Sequence, residues 1–113
     1  MQHEMIDDFG NKLTYEYSQL EGFTNKYMHI WVNDALITLD PSTLTDLCCQ
    51  LKNNEYQIAS VRNQDQIITV FNNQDLCSID IVDNDKLHSV SLTKQQIDTM
   101  FADFKAFIIQ CMS

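Results

Sequence analysis

A chain of 113 residues has room for one domain, and its 44% hydrophobic content, with six Phe, four Tyr and one Trp, supplies a core and excludes disorder by composition. Sixteen acidic against seven basic residues give a formal net charge of −9. That balance repels nucleic acid and anionic membranes at long range and favours a basic partner. The acids are spread evenly, so charge marks no separate tail or second domain, and residues 1–113 read as one α+β domain.

The start of the chain, Met1 to Asp8, has neither a basic nor an apolar leader segment. No apolar run approaches the length of a membrane span. With Cys48, Cys49, Cys77 and Cys111 reading as free thiols, the expected setting is the cytoplasm and the expected protein is soluble. Residues 1–10 read as a short helix or a frayed arm. Lys12–Ser18, Tyr27–Val32 and Ala35–Leu39 then have the alternation and composition of strands, with Asn33-Asp34 as a tight turn.

A helix follows. Asp40 is placed to cap its free amides and Pro41 occupies the first helical position, where a missing N–H costs nothing. Leu44, Leu47, Cys48 and Leu51 fall at i, i+3, i+4 and i+7, which makes one apolar stripe ending near Asn53-Asn54. Four more strands are expected at Gln57–Arg62, Gln66–Phe71, Leu76–Val82 and His88–Leu92. Short Asn- and Asp-rich loops separate them, as antiparallel hairpins require. Thr93-Lys94-Gln95-Gln96 reads as a capping box opening a second helix, whose stripe is Ile97, Met100, Phe101, Phe104, Ile108 and Cys111, with Phe107 at one edge.

The expected order is therefore βββα–ββββα: antiparallel sheet packed by two helices. A faint internal likeness runs through it at an offset of 53 residues. Ile37-Thr38-Leu39-Asp40 aligns with Val90-Ser91-Leu92-Thr93, and Leu44, Leu47, Cys48 and Leu51 align with Ile97, Met100, Phe101 and Phe104. It is a likeness of form, strand to cap to helix.

Several chemistries find no motif. There is no Cys-x-x-Cys and no His pair at helical spacing for a metal, and Cys48, Cys77 and Cys111 fall in phase with apolar neighbours. Asp80, Asp83 and Asp85 lack the spacing of a calcium loop and suit a hairpin turn better. No nucleophile elbow, zinc-protease helix or Gly-rich phosphate loop is present. No enzyme, metal or cofactor is expected from this sequence.

The stretch from Gln57 to Cys111, four strands and then one long helix entered through Val90-Ser91-Leu92-Thr93, is similar in element order to the PC4 coactivator domain. The doubled pattern resembles the Whirly single-stranded DNA-binding fold. This resemblance covers about half the chain and implies a single-stranded nucleic-acid-binding domain. The residues of the candidate sheet argue otherwise: Arg62 and Lys86 stand against Asp65, Asp75, Asp80, Asp83 and Asp85, so no basic groove accompanies the order.

The candidate contact residues are two groups. In Tyr27-Met28-His29-Ile30-Trp31-Val32, Tyr27, His29 and Trp31 point to one face and Met28, Ile30 and Val32 to the other. Either the strand is covered on both sides, or its aromatic side meets a partner. Asp65, Asp83 and Asp85 sit in hairpin turns where acids project freely, with Asp65 and Asp83/Asp85 at one end of the sheet and Asp75 at the other. Together these residues suggest a non-catalytic, acidic protein-interaction module: an adaptor, an inhibitor, an immunity-type or a chaperone-like partner. The expected partners are a basic protein and a second copy in a homodimer, with no membrane. Single-stranded nucleic-acid binding is the alternative reading.

Overall fold

Period-two alternation in each half of the chain leaves one apolar and one mixed face on every strand, and the apolar faces of two sheets close on a common core. The computed structural model describes residues 2–19, 26–53, 58–73 and 77–112. The first sheet, sheet A, is β1 (Gln2–Ile6), β2 (Lys12–Gln19), β3 (Lys26–Val32) and β4 (Ala35–Leu39), followed by α1 (Pro41–Asn53). Sheet B is β5 (Ile58–Asn63), β6 (Gln66–Asn72), β7 (Cys77–Asp83) and β8 (Lys86–Leu92), followed by α2 (Lys94–Met112). Each sheet is an antiparallel meander in sequence order. The likeness between the two halves is thus a likeness of topology: four strands and a helix, twice.

The α+β class and the antiparallel sheets with two helices agree with the sequence expectation. The N-terminal segment does not. Gln2–Ile6 is neither helix nor frayed arm but a strand, paired with β2 from Gln2↔Glu16 to Ile6↔Lys12. Its alternation is physical: His3 and Met5 turn inward while Glu4 and Ile6 turn out. With only two inward residues, such an edge strand leaves little apolar signal in the sequence. The expected positions Gln57, Leu76 and Asp75 lie outside the described residues.

Both helix starts are built as their residues dictate. The Asp40 carboxylate accepts the Thr43 amide at 2.7 Å, and the Leu44 amide closes the first turn on the Asp40 carbonyl. At α2 the box is reciprocal: Gln96 N–H donates to Thr93 Oγ1 at 3.1 Å, and Thr93 N–H donates to Gln96 Oε1 at 2.9 Å. On α2 the buried stripe runs Ile97, Met100, Phe101, Phe104, Phe107, so Phe107 belongs to its centre, while Ile108 and Cys111 are only partly covered.

The core joins the inward residues of both sheets: Leu13, Tyr15, Met28, Ile30, Val32 and Ile37 from sheet A, and Ala59, Ile68, Val70, Ile79, Ile81 and Val90 from sheet B. α1 lies along β5 and against α2, and β3 and β4 pack against sheet B. α2 is keyed to β2 by aromatic contacts, Tyr15 with Phe104 and Tyr17 with Phe107, each at a 5.4 Å ring separation. The hairpins are tighter than their Asn/Asp-rich loops suggested. Asn63↔Gln66 and Asp83↔Lys86 leave two-residue turns, and Asn84 and Asp85 both take positive φ (51° and 65°), as a type I′ turn demands.

A carboxylate ties the β1–β2 loop to sheet B. Asp7 accepts the amides of Phe9 at 2.9 Å and Asn11 at 2.8 Å, and with its other oxygen the backbone N–H of Ser91 on β8 at 3.0 Å. Desolvation pushes its pKa up, but the hydrogen bonds from Ser91, Asn11 and Phe9 together outweigh that and hold it below the usual 3.8. The folded value is the depressed one, so the tie is complete above the ordinary aspartate range and is lost as pH falls through the folded value. Hydrogen exchange checks this: the Ser91 amide should lose protection once the pH drops below 3.8, before the ladder amides do. In Asp7→Asn that acid step should be absent.

Candidate functional site

β3 is an interior strand of sheet A, which makes its two faces unequal. Met28, Ile30 and Val32 are buried; Tyr27, His29 and Trp31 are half-exposed on the outer face. The core side chains of both helices meet the inner face, so this outer face is left to solvent among the described residues. Of the two options the sequence left open, coverage on both sides is not what the fold provides.

The register builds the surface around that row. Trp31 stands between Thr14 and Leu36, and His29 between Glu16 and Thr38. Thr14, the cross-strand partner of Trp31, is only 7% exposed. The His29 ring is fixed by Nδ1 against Thr38 Oγ1 at 2.9 Å and by the Trp31 ring at 5.9 Å. Trp31 also lines a shallow cleft with Lys12, Asn33 and Asp34. Each of these aromatic side chains offers an apolar body and a polar tip, the chemistry of a contact residue.

The acidic turns fall where antiparallel parity put them. Asn63, Gln66, Asp83 and Lys86 form one row across sheet B, so the turns holding Asp65 and Asp85 share an end of the sheet with Asp83. That end abuts sheet A: Asn63 Nδ2 donates to the Thr38 carbonyl at 2.5 Å, and Gln66 Nε2 donates to the Leu36 carbonyl. Leu36 is the cross-strand neighbour of Trp31, and Gln66 is that of Asp83. The fold thereby brings the two sequence-derived groups to neighbouring positions across β4.

Two further features were not legible. The first is His3–Tyr15–Asp103. The Tyr15 hydroxyl donates to Asp103 Oδ2 at 2.6 Å, His3 Nε2 is 3.7 Å from the same oxygen, and the His3 ring stacks on Tyr15 at 4.9 Å. Burial, then the hydrogen bond and charge of Asp103, push the Tyr15 pKa well up, so the phenol stays protonated and serves as a donor. The cluster clasps β1 and β2 to α2; a fixed neutral phenol is no general base near neutrality. Asp103 and Tyr15 are 88 positions apart, and only the fold brings them together.

The second is the outer face of sheet B. Its middle row is polar, with Ser60 near Thr69 and Ser89 Oγ donating to Asp80 at 2.5 Å. Apolar pairs flank it: Ile58 with Phe71, and Ile67, Val82 and Leu87 in line, where Leu87 is 64% exposed. Their strands were expected, but outward Ile and Val read the same as inward ones in so apolar a segment.

Two thiols are held protonated by burial, while Cys49 is exposed. Burial pushes Cys48 up to about 11, against a smaller lowering by Lys105, and burial likewise raises Cys77. Cys111 is only half-buried, unlike Cys48 and Cys77. Among the described residues no group of three or more His, Cys, Asp or Glu is placed to hold a metal ion, and no helix is long and apolar enough to cross a membrane. Comparison of the chain with protein-family models, with curated proteins and with solved structures finds no match. The likeness to the PC4 and Whirly folds therefore rests on element order alone.

Proposed function

We propose that the protein is a non-catalytic interaction module whose contact surface is the outer face of sheet A, centred on Trp31 and bordered by the acidic turns of sheet B. The observation that carries this reading is the half-exposed Tyr27–His29–Trp31 row, which neither helix covers. Aromatic anchors dominate contact energies, whereas aliphatic Leu and Val are under-represented among such anchors, which favours this row over the exposed strip of sheet B. Asp65, Asp83 and Asp85 beside it supply long-range attraction for a basic protein, within a chain of formal charge −9.

The nucleic-acid alternative has nothing comparable behind it. The outer face of sheet B carries one base, Arg62, in the row next to that of Asp80, and on that of sheet A Lys12 meets Glu4 at 3.1 Å with Glu16 on the same strand. Among the described residues no basic track is formed on either.

The test begins with a partner captured from the native host and is read as kinetics. Reversing Asp83 and Asp85 to Lys should slow association about several-fold and flatten its salt dependence, with stability nearly unchanged because exposed charges contribute little to folding. Trp31→Ala should chiefly speed dissociation. An on-rate indifferent to charge reversal and salt would reduce the acidity to a solubility feature. Micromolar binding of a labelled single-stranded oligonucleotide that weakens steeply with salt would favour the alternative.

Self-association is the second part of the proposal. Met28, Ile30 and Val32 on β3 and Ile97, Met100, Phe101, Phe104 and Phe107 on α2 are spent in the core. Among the apolar groups left outside the core, Ile67, Val82 and Leu87 stand in one row on the outer face of sheet B, a surface suited to a second copy. Light scattering across a concentration series should show a dimer that Leu87→Lys returns to 13.1 kDa. A wild-type monomer at every concentration removes the dimer.

A further inference from the structure

Two meanders have four edge strands, β1 and β4 in sheet A and β5 and β8 in sheet B. An edge presents unpaired N–H and C=O groups, and a folded chain must cover or blunt them. Antiparallel parity fixes which residues those are. In β4 the outward groups belong to Leu36 and Thr38, and their carbonyls are taken by the side-chain amides of Gln66 and Asn63. In β5 the outward residue Ser60 is held on both sides, its N–H donating to Gln50 Oε1 and its carbonyl accepting from Gln50 Nε2, each at 2.9 Å. In β8 the outward N–H of Ser91 goes to Asp7.

β1 differs. The Asp7 amide bonds the Asn11 carbonyl, so residues 3, 5 and 7 turn their backbone groups toward β2, and Gln2, Glu4 and Ile6 turn theirs away. Among the described residues nothing bonds that outward row. Ile6 is 60% exposed beside it.

The geometry points to β1 as a strand-addition site that takes an extended, basic segment of a partner protein as a fifth strand of sheet A. Charge selects this occupant. Within residues 2–19 Glu4, Asp7, Asp8 and Glu16 stand against Lys12 alone, and the Lys12–Glu4 contact at 3.1 Å is half exposed and shared with solvent. A second copy fits worse. Two-fold pairing that matches all three outward residues sets Glu4 opposite Glu4 of the copy, an unfavourable like-charge pair, between chains that each carry −9.

In an antiparallel fifth strand, the residue bonded to Glu4 projects on the outer face and is the natural place for Lys or Arg. The residue beside His3 projects inward, where His3, Asp103 and Gln110 border a cavity of about 170 Å³. This site is separate from the Tyr27–His29–Trp31 row and stands whether or not that row is a contact.

The test uses the whole protein and a short end-blocked peptide of alternating lysine and valine carrying a fluorophore. Binding should be detected by anisotropy, and hydrogen exchange should slow at the Glu4 and Ile6 amides. The same peptide N-methylated at every lysine amide should not bind, and a glutamate–valine peptide should bind at least about tenfold more weakly. Glu4→Pro removes an outward N–H and no ladder bond, so it should weaken binding about tenfold while the fold is kept. Glu4→Lys leaves the edge intact and should reverse the preference between the two peptides. Trp31→Ala should leave peptide binding unchanged. Binding that survives N-methylation, that leaves Glu4 and Ile6 exchange unaltered, or that is lost with Leu87→Pro on β8 but kept with Glu4→Pro would overturn the proposal. So would a dimer that Glu4→Pro dissociates, because the edge would then belong to a second copy.

Discussion

Everything in this fold depends on burying two apolar sheet faces against each other with only two helices to help. Each strand has one inward set, and the inward sets of sheets A and B share a core with the stripes of α1 and α2. The Tyr15–Phe104 and Tyr17–Phe107 contacts set α2 on β2, so the C-terminal helix of the second unit is clamped onto the first. Burying aromatic and aliphatic side chains at roughly 1.5–3 kcal/mol each is the term that offsets chain entropy. The two halves are therefore alike in form but not independent in stability.

That division of faces has a second consequence. Once both inner faces are spent, function is confined to outer faces, turns and edges. The outer face of sheet A gathers aromatic side chains with polar tips, and that of sheet B carries a polar row between aliphatic ones. At the seam, Asn63 and Gln66 lock the end of sheet B to the edge of β4, so the acidic turns and the aromatic row are held in fixed relation. A rigid surface of this kind lowers the ordering cost of a contact. The His3–Tyr15–Asp103 clasp keeps β1 in register at the opposite side of the sheet, where its outward backbone is free.

Much of this was legible because local physics wrote it. The alternation of Ala35–Leu39 and Gln66–Phe71, the Asp40-Pro41 start and the Thr93–Gln96 box each need only neighbouring residues, and each was read directly. Antiparallel parity alone also assigns Asp65 and Asp83/Asp85 to one end of a sheet. What escaped depends on distant partners. β1 has two inward residues and no helix cap, so its pairing with β2 left no periodic trace. Tyr15 reads as one more apolar strand residue until Asp103 arrives from α2. Trp31 was undecidable for a related reason: alternation tells which residues share a face, not which face the rest of the chain will cover.

The central claim is that the aromatic face of sheet A is open in the folded protein, and Trp31, the single tryptophan, reports on it alone. Acrylamide quenching of its fluorescence in the native state tests the claim most directly. An accessible Trp31 should be quenched readily before unfolding, with an emission maximum that shifts only modestly to the red when the protein is denatured. A native emission that is blue and resistant to quencher until the cooperative transition would place Trp31 in the core and contradict the account.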